Sequence, residues 1–94
     1  MPQLSIIIPV YNEAQNILPL HEELLRYCPD NCEIIFVDDG SIDDTLTVIE
    51  NIASKNDRYK CISLSRNFGH QNALVAGMEY ASGEQIIIMD GDLQ

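Results

Sequence analysis

The sequence has few basic residues, and this scarcity narrows the classes of partner. Five lysines and arginines stand against fifteen aspartates and glutamates, which gives a formal net charge of −10 over 94 residues. Such an excess of negative charge repels polyanions, so neither nucleic acid nor an anionic membrane surface is expected as a partner. A ligand that carries phosphate remains compatible with this charge when a divalent cation lies between the phosphate and the carboxylates.

Long apolar runs and a cysteine framework are also lacking. The longest apolar runs, Ser5–Val10 and Gln85–Met89, are far shorter than the ~18 residues of a membrane-spanning helix, and we expect no secretory leader. Three cysteines, Cys28, Cys32 and Cys61, match neither a dense disulfide set nor a zinc set. They predict free, half-buried thiols in a reducing compartment.

Strand-like and helix-like patterns alternate along the chain. The patterns predict four strands, at Leu4–Val10, Glu33–Val37, Lys60–Ser65 and Gln85–Met89. Leu4–Val10 has the continuous apolar character of a strand that is buried on both faces. Alternation of this kind predicts an α/β fold, with an open parallel sheet and helices on both faces.

Three helices are predicted between these strands. Asn16 is a plausible N-cap of the first, which would place Pro19 in the first turn, where its missing N–H does little harm. Ser41 and Asp44 resemble a capping box at the start of the second. Gly83 is expected to end the third at the C′ position.

Polar clusters follow the predicted strands, at the sheet edge where α/β proteins bind ligands. Neither G-x-G-x-x-G nor G-x-x-x-x-G-K-[ST] follows the first strand, which argues against a dinucleotide Rossmann site or a P-loop. The clusters are Tyr11-Asn12-Glu13, Asp38-Asp39, Arg66-Asn67 and Asp90/Asp92.

The first two clusters have two interpretations each. Tyr11 and Glu13 could stack on a base and hydrogen-bond it, or the ring could pack on the next helix beside a solvated carboxylate. The adjacent carboxylates of Asp38 and Asp39 repel each other unless a cation or a strong donor uses one of them. They could accept from the imino N–H of uracil or guanine, or they could both cap the following helix.

The third and fourth clusters point to phosphate. Asp90 and Asp92 lie two apart on an extended segment, so they point to one side, and Gly91 lets the backbone approach a ligand. Such carboxylates suit Mg²⁺ or Mn²⁺ that bridges a diphosphate. Arg66 could meet a phosphate or pair with an acidic residue, and His21 is expected to be exposed on the first helix.

Four segments stand out together: SIIIPVYNE (Ser5–Glu13), EIIFVDDGSIDDT (Glu33–Thr45), LSRNFG (Leu64–Gly69) and MDGDLQ (Met89–Gln94). They resemble the family 2 inverting glycosyltransferases, and within that family the polyprenyl-phosphate branch of the dolichyl-phosphate mannose synthase and bactoprenol glucosyltransferase type. The resemblance implies a GT-A, Rossmann-like fold of which this chain forms the N-terminal, nucleotide-binding half.

The resemblance also implies site residues. The positions that bind the nucleotide sugar in the family correspond here to Pro9, Tyr11, Glu13, Val37, Asp38, Asp39, Asp90 and Asp92. The positions at the metal motif correspond to Asp90, Asp92 and Gln94. Gly91 stands where relatives often have alanine.

The implied function is the transfer of a sugar from a UDP- or GDP-linked donor to an acceptor, a polyprenyl phosphate or a saccharide, with inversion and with Mg²⁺ or Mn²⁺. Residues 1–94 are expected to be the donor-binding half, truncated after the D-x-D motif, with the catalytic base beyond residue 94. By itself the chain should bind donor without turnover, and the exposed edge of its sheet should make it self-associate. The parent protein is expected on the cytoplasmic side, associated with the membrane through segments absent here.

Two other functions fit parts of the pattern. A receiver-like signalling module also gathers acidic residues around Mg²⁺ at the carboxyl ends of a parallel sheet. It requires an acidic pair after the first strand, where this sequence has Pro9-Val10-Tyr11. A catalytically inactive nucleotide-binding fragment is compatible with the glycosyltransferase interpretation.

Overall fold

Within the part of the chain that the structure describes, four parallel strands form one sheet and three helices connect them. The computed structural model describes residues 3–28 and 30–89. The strands are β1 (Leu4–Val10), β2 (Cys32–Asp38), β3 (Tyr59–Ser63) and β4 (Gln85–Ile88), and the helices are α1 (Ala14–Tyr27), α2 (Thr45–Ala53) and α3 (His70–Tyr80). The order across the sheet is β3-β2-β1-β4. The predicted open parallel sheet with helices on both faces is confirmed.

Alternate side chains of β1 and β2 build a core on each face of the sheet. The core under α1 and α2 includes Ile8, Ile17, Phe36 and Ile49. The core under α3 includes Ile7, Ile35, Val37 and Ala73. Because helices cover both faces, the central strands read as unbroken apolar runs, and the predicted two-sided burial of β1 is confirmed for Ser5–Val10.

The predicted strands are confirmed, with small shifts at their ends. β2 is one residue longer at each end than Glu33–Val37, and β4 ends at Ile88. The predicted third strand was Lys60–Ser65, whereas β3 begins one residue earlier, at Tyr59, and ends two residues earlier, at Ser63. Its last pair is Asp38 with Ser63, so β3 ends where β2 ends.

The start of α1 differs from the prediction. Glu13, not Asn16, occupies the N-cap position, and Pro19 lies inside the helix rather than in its first turn. The reason is a neighbouring helix. The Glu13 N–H donates to the hydroxyl of Thr45, the first residue of α2, at 2.9 Å, so an acceptor from another element allows the helix to begin earlier than its own sequence indicates.

The predicted capping box of α2 is wrong. Asp44 occupies the N-cap position without a side-chain cap bond, and the Thr45 N–H donates instead to Asp43 Oδ1 at 2.9 Å. The hydroxyl of Ser41 accepts from the N–H of Asn12 at 2.9 Å. Ser41 therefore joins two loops rather than starting a helix.

The end of α3 also differs from the prediction. Ala81 is the C-cap, in an extended conformation, and Gly83 does not occupy a left-handed C′ position. Gly83 instead lies against β1, where its N–H donates to Ser5 Oγ at 2.8 Å. An added Cβ would lie 2.7 Å from the Ser5 nitrogen, so close approach of two backbones explains the glycine.

A buried carboxylate ties the strands together at the end of the sheet opposite their carboxyl ends. Glu33 accepts from Ser5 Oγ at 2.5 Å and from the N–H and hydroxyl of Ser82 at 2.6 and 2.8 Å, and Lys60 Nζ lies 2.7 Å away. Burial alone would raise the pKa of Glu33, but the hydrogen bonds from Lys60, Ser5 and Ser82 outweigh burial and lower the pKa to about 2.

Two expectations about titratable side chains have different outcomes. The three thiols are free as predicted, with Cys28 and Cys61 half-buried and Cys32 buried. The expectation that His21 is exposed is wrong, because its Nδ1 lies 2.6 Å from the hydroxyl of the buried Tyr59. Burial lowers the pKa of His21 and raises the pKa of Tyr59 to about 12.

β4 forms an exposed edge of the sheet. Its three isoleucines, Ile86, Ile87 and Ile88, are 45%, 46% and 49% exposed, so neither face of the strand is fully covered in the described structure. This exposure confirms that β4 is a poorly covered edge. Among the helices of residues 3–28 and 30–89, none combines the length and the hydrophobicity needed to cross a membrane.

Candidate functional site

A cavity of about 210 Å³ opens at the carboxyl ends of β1 and β2. Its walls come from the end of β1, the residue after β2 and the loop before α3. The lining residues are Pro9, Val10, Tyr11, Asp39, Asn67, Gly69 and His70. The edge of the sheet that the strand pattern predicted as the ligand site therefore holds a cavity.

Asp39 lines this cavity and holds the loop before α3. The residue is buried, and its two carboxylate oxygens accept from the N–H groups of Phe68 at 2.8 Å and Gly69 at 3.2 Å. Gly69 has a φ of +102°, which favours glycine where the chain turns into α3. Each carboxylate oxygen can accept more than one hydrogen bond, so Asp39 can hold the loop and still accept from a ligand.

Asp38 points away from this cavity. It lies two positions after Phe36 in β2 and therefore on the same face of the sheet, the face covered by α1 and α2. Cys61 lies near Asp38 on this face. Burial, with the nearby carboxylates of Glu50 and Asp38, raises the pKa of the Cys61 thiol to about 11. Asp38 Oδ2 accepts from the Ser41 N–H at 3.3 Å, and no partner for its buried Oδ1 is found within the described residues. Neither Asp38 nor Asp39 provides the N-cap of α2.

The structure brings some of the predicted donor-site residues together and not others. Pro9, Tyr11 and Asp39 line the same cavity, and Tyr11 is 43% exposed. Val37 is fully buried in the core beneath α3. Glu13 accepts from Asn16 Nδ2 at 2.6 Å and lines a separate concavity of about 510 Å³.

Four lining residues were not among the predicted site residues: Val10, Asn67, Gly69 and His70. For the last three the available signal was the polar cluster after the third strand, but its spacing does not show which residues line the cavity. Arg66, for which the sequence allows a phosphate or an acidic partner, has its guanidinium carbon 4.7 Å from the centre of the Phe68 ring. The structure thus places Arg66 on an aromatic face, where a cation is stabilised.

The predicted metal residues Asp90, Asp92 and Gln94 lie outside the described residues. β4 runs parallel to β1, and the Met89 N–H donates to the Ile7 carbonyl at 3.0 Å. The carboxyl end of β4 therefore lies at the same edge of the sheet as the cavity. No group of three or more histidine, cysteine, aspartate or glutamate side chains suited to a metal ion occurs within residues 3–28 and 30–89.

Comparisons with known proteins agree on one family. The profile of glycosyl transferase family 2 matches residues 5–94. CsbB of Bacillus subtilis (strain 168) is 48% identical over 94 residues, which cover 97% of this chain and 29% of CsbB. The undecaprenyl-phosphate 4-deoxy-4-formamido-L-arabinose transferase of Proteus mirabilis (strain HI4320) is 38% identical over 96 residues, which cover 98% of this chain and 29% of that enzyme.

A solved structure shows the same architecture. The mannosyltransferase PcManGT from Pyrobaculum calidifontis, in complex with GDP-Man and Mn²⁺, superposes with a TM-score of 0.87 and is 27% identical in sequence. The match covers 97% of this chain and 28% of the mannosyltransferase. The chain thus spans less than a third of the length of each of these three proteins.

Proposed function

Because this chain belongs to glycosyl transferase family 2, we propose that the protein containing it transfers a sugar from a nucleoside-diphosphate sugar to an acceptor, and that residues 1–94 bind the donor. The observation that carries the proposal is the cavity in which Tyr11 and Asp39 meet at the carboxyl edge of the sheet. The family assignment also removes the receiver-like alternative.

The cavity suits the base and ribose end of the donor. An exposed aromatic ring supplies a stacking surface, and a carboxylate at the cavity wall accepts from the imino N–H of uracil or guanine. Its volume of about 210 Å³ is below the ~300–1,000 Å³ typical of whole small-molecule sites. The described cavity therefore accommodates part of the donor, and the diphosphate extends toward the residues that follow β4.

The proposed cofactor is Mg²⁺ or Mn²⁺, held by Asp90 and Asp92 with help from Gln94. Support comes from the paired carboxylates and from the Mn²⁺ in the complex of the related mannosyltransferase. When bound, the cation neutralises the charge of the leaving diphosphate as a Lewis acid. Transfer proceeds with inversion, and the base that deprotonates the acceptor lies beyond residue 94.

The proposed acceptor is a polyprenyl phosphate, in line with the undecaprenyl-phosphate transferase that is 38% identical to this chain. In this proposal the protein acts at the cytoplasmic side of a membrane through segments outside this sequence. The isolated 94-residue chain binds donor without transferring sugar, because both the acceptor site and the base lie elsewhere.

Calorimetry with UDP and GDP, each with and without Mn²⁺, tests the proposal on wild type and two variants. Asp39→Asn should weaken binding about tenfold in both conditions, since it removes a charged acceptor from the base. Asp92→Asn should weaken only the Mn²⁺-dependent part, because its partner is the cation. Binding of metal and nucleotide should be mutually favourable by linkage.

Asp57→Asn is the control, because Asp57 is exposed in the turn before β3, at the opposite end of the strands from the cavity. Thermal unfolding of each variant separates a lost contact from a disturbed loop, since Asp39 also holds the amides of Phe68 and Gly69. Wild-type binding that is indifferent to Mn²⁺, or two variants that bind like wild type, would contradict the donor site.

A further inference from the structure

Reciprocal hydrogen bonds at Asn12 join the loops that follow β1 and β2. The Asn12 N–H donates to Ser41 Oγ at 2.9 Å, and Asn12 Oδ1 accepts from the Ile42 N–H at 2.9 Å. We call this pair of bonds, made by Asn12, Ser41 and Ile42, the loop clasp. Residues about thirty positions apart in sequence are thereby held at one edge of the sheet.

The backbone of Asn12 is as unusual as its contacts. Its φ of +53° is the only positive value outside glycine within the described residues. Asparagine tolerates this left-handed conformation better than most residues. The position thus requires a residue that both accepts this turn and presents a side-chain oxygen to the neighbouring loop.

The loop clasp lies between residues that form the cavity. Tyr11 directly precedes Asn12, and Asp39 lies two residues before Ser41. The intervening Gly40 has a φ of +73°, and an added Cβ would lie 2.2 Å from the carbonyl carbon of Arg66. The loop after β2 is therefore held against the loop before α3 on one side and against Asn12 on the other.

We propose that Asn12 is a positioning residue for the donor: the loop clasp fixes the separation of Tyr11 and Asp39, so that the cavity is already formed before the nucleotide arrives. This inference rests on the proposed donor site. Asn12 does not line the cavity, so it acts through the two residues that do. A preformed site binds more tightly because less ordering accompanies binding.

Variants at position 12 separate the hydrogen bond from the backbone conformation. Asn12→Gly keeps the left-handed turn and removes the acceptor, whereas Asn12→Asp keeps both. We expect Asn12→Gly to bind UDP or GDP with Mn²⁺ about fivefold more weakly, as for the loss of one ordinary hydrogen bond. Asn12→Asp should restore wild-type affinity when compared at raised salt, where its added charge is screened.

Ser41→Ala removes the other half of the loop clasp from the opposite loop. Its effect and that of Asn12→Gly should be non-additive in the double variant, because either change opens the same unit. Asn31→Gly is the matched control, since Asn31 is exposed in the turn before β2, at the amino ends of the strands and away from the loop clasp. It should leave the affinity unchanged.

Hydrogen exchange at the Ile42 amide supplies a readout that a general loss of stability would not produce. In Asn12→Gly this amide should exchange faster than in wild type, and saturating nucleotide should restore its protection. Wild-type affinity in Asn12→Gly, or equal weakening in Asn12→Gly and Asn12→Asp, would overturn the inference while leaving the donor site intact. Absence of nucleotide binding by wild type would overturn the donor site and the inference with it.

Discussion

Asp38 and Asp39 show how neighbouring identical side chains acquire different surroundings. Asp39 faces the cavity and accepts from two backbone amides of the loop before α3. Asp38 lies on the other face of the sheet, with one oxygen bonded to the Ser41 N–H. The two carboxylates therefore accept hydrogen bonds from different loops.

Glu33 leads to a prediction about pH. Its pKa in the folded protein is about 2, below its ordinary value of 4.5. The stability that this carboxylate contributes is therefore complete above pH 4.5 and is lost as the pH falls toward 2. We expect a loss of roughly 2–3 kcal/mol in the free energy of unfolding over this range.

Urea unfolding of wild type and Glu33→Gln at several pH values measures this loss. The variant should be less stable than wild type near neutral pH, because Lys60 loses its partner, and its stability should depend less on pH below 4.5. Glu79→Gln, a change at an exposed position of α3, is the control and should keep the wild-type pH profile. Parallel profiles for wild type and Glu33→Gln would remove Glu33 as the cause.

Some site residues could be predicted from the sequence because strand direction alone places them. Tyr11 and Asp39 directly follow buried strands, and parallel strands end at a common edge. Asn67 and His70 could not be assigned in this way, since their position depends on how Asp39 captures the amides of a loop almost thirty residues further on. A long-range hydrogen bond of this kind leaves no local pattern.

At the scale of elements, small residues allow α3 to lie close to the sheet. Gly77 faces β1 and β2, and an added Cβ would lie 2.5 Å from Ile7 Cγ2 and 3.1 Å from Val37 Cγ2. Ala73, one turn earlier, is also fully buried. The shape of the cavity depends on this packing, because α3 begins at His70, which lines the cavity.

Gly77→Val should therefore move α3 away from the sheet. Because the surrounding isoleucine and valine are themselves buried, we expect overpacking to lower the free energy of unfolding by about 1–3 kcal/mol. Met78→Val places the same β-branched side chain at the next, 43% exposed position and is the matched control. Equal stability of the two variants in urea would show that α3 accommodates the added volume.

Strand positions were predictable and helix starts were not, for a physical reason. Runs such as that of β2 are rich in β-branched residues and are buried on both faces, a local signal that needs no knowledge of neighbours. The start of α1 depends on Thr45 of another element. The capping prediction at Ser41 was wrong because its hydroxyl serves Asn12 instead.

At the scale of the whole molecule, a charge of −10 and an exposed strand edge have opposite effects on self-association. Among residues 3–28 and 30–89, no strand pairs with the outer side of β4, and its isoleucines are about half exposed. Edges of this kind pair with one another, whereas like net charge keeps molecules apart. We propose that the 94-residue chain self-associates, and that salt promotes the association by screening the charge.

Sedimentation at tens of micromolar, at low and at high salt, tests this proposal. Ile87→Lys places a charge on the edge strand and should keep the chain monomeric, since lysine on edge strands opposes pairing with another sheet. Val75→Lys makes the same change on α3, at a residue that is also half exposed, and should associate like wild type. A sharp monomer boundary for wild type at both salt concentrations would rule the association out.

Within the described residues β4 has a bonded strand on one side only, and this affects how readily the strand opens. β1 is bonded to a strand on each side, whereas within the described residues β4 is bonded to β1 alone. Strands with fewer partners and more solvent contact open locally at a lower free energy than the core. The amides of β4 should therefore exchange with solvent at a lower free energy of opening than those of β1. The cavity, whose walls rest on the ends of β1 and β2, should keep its shape while this edge strand opens locally.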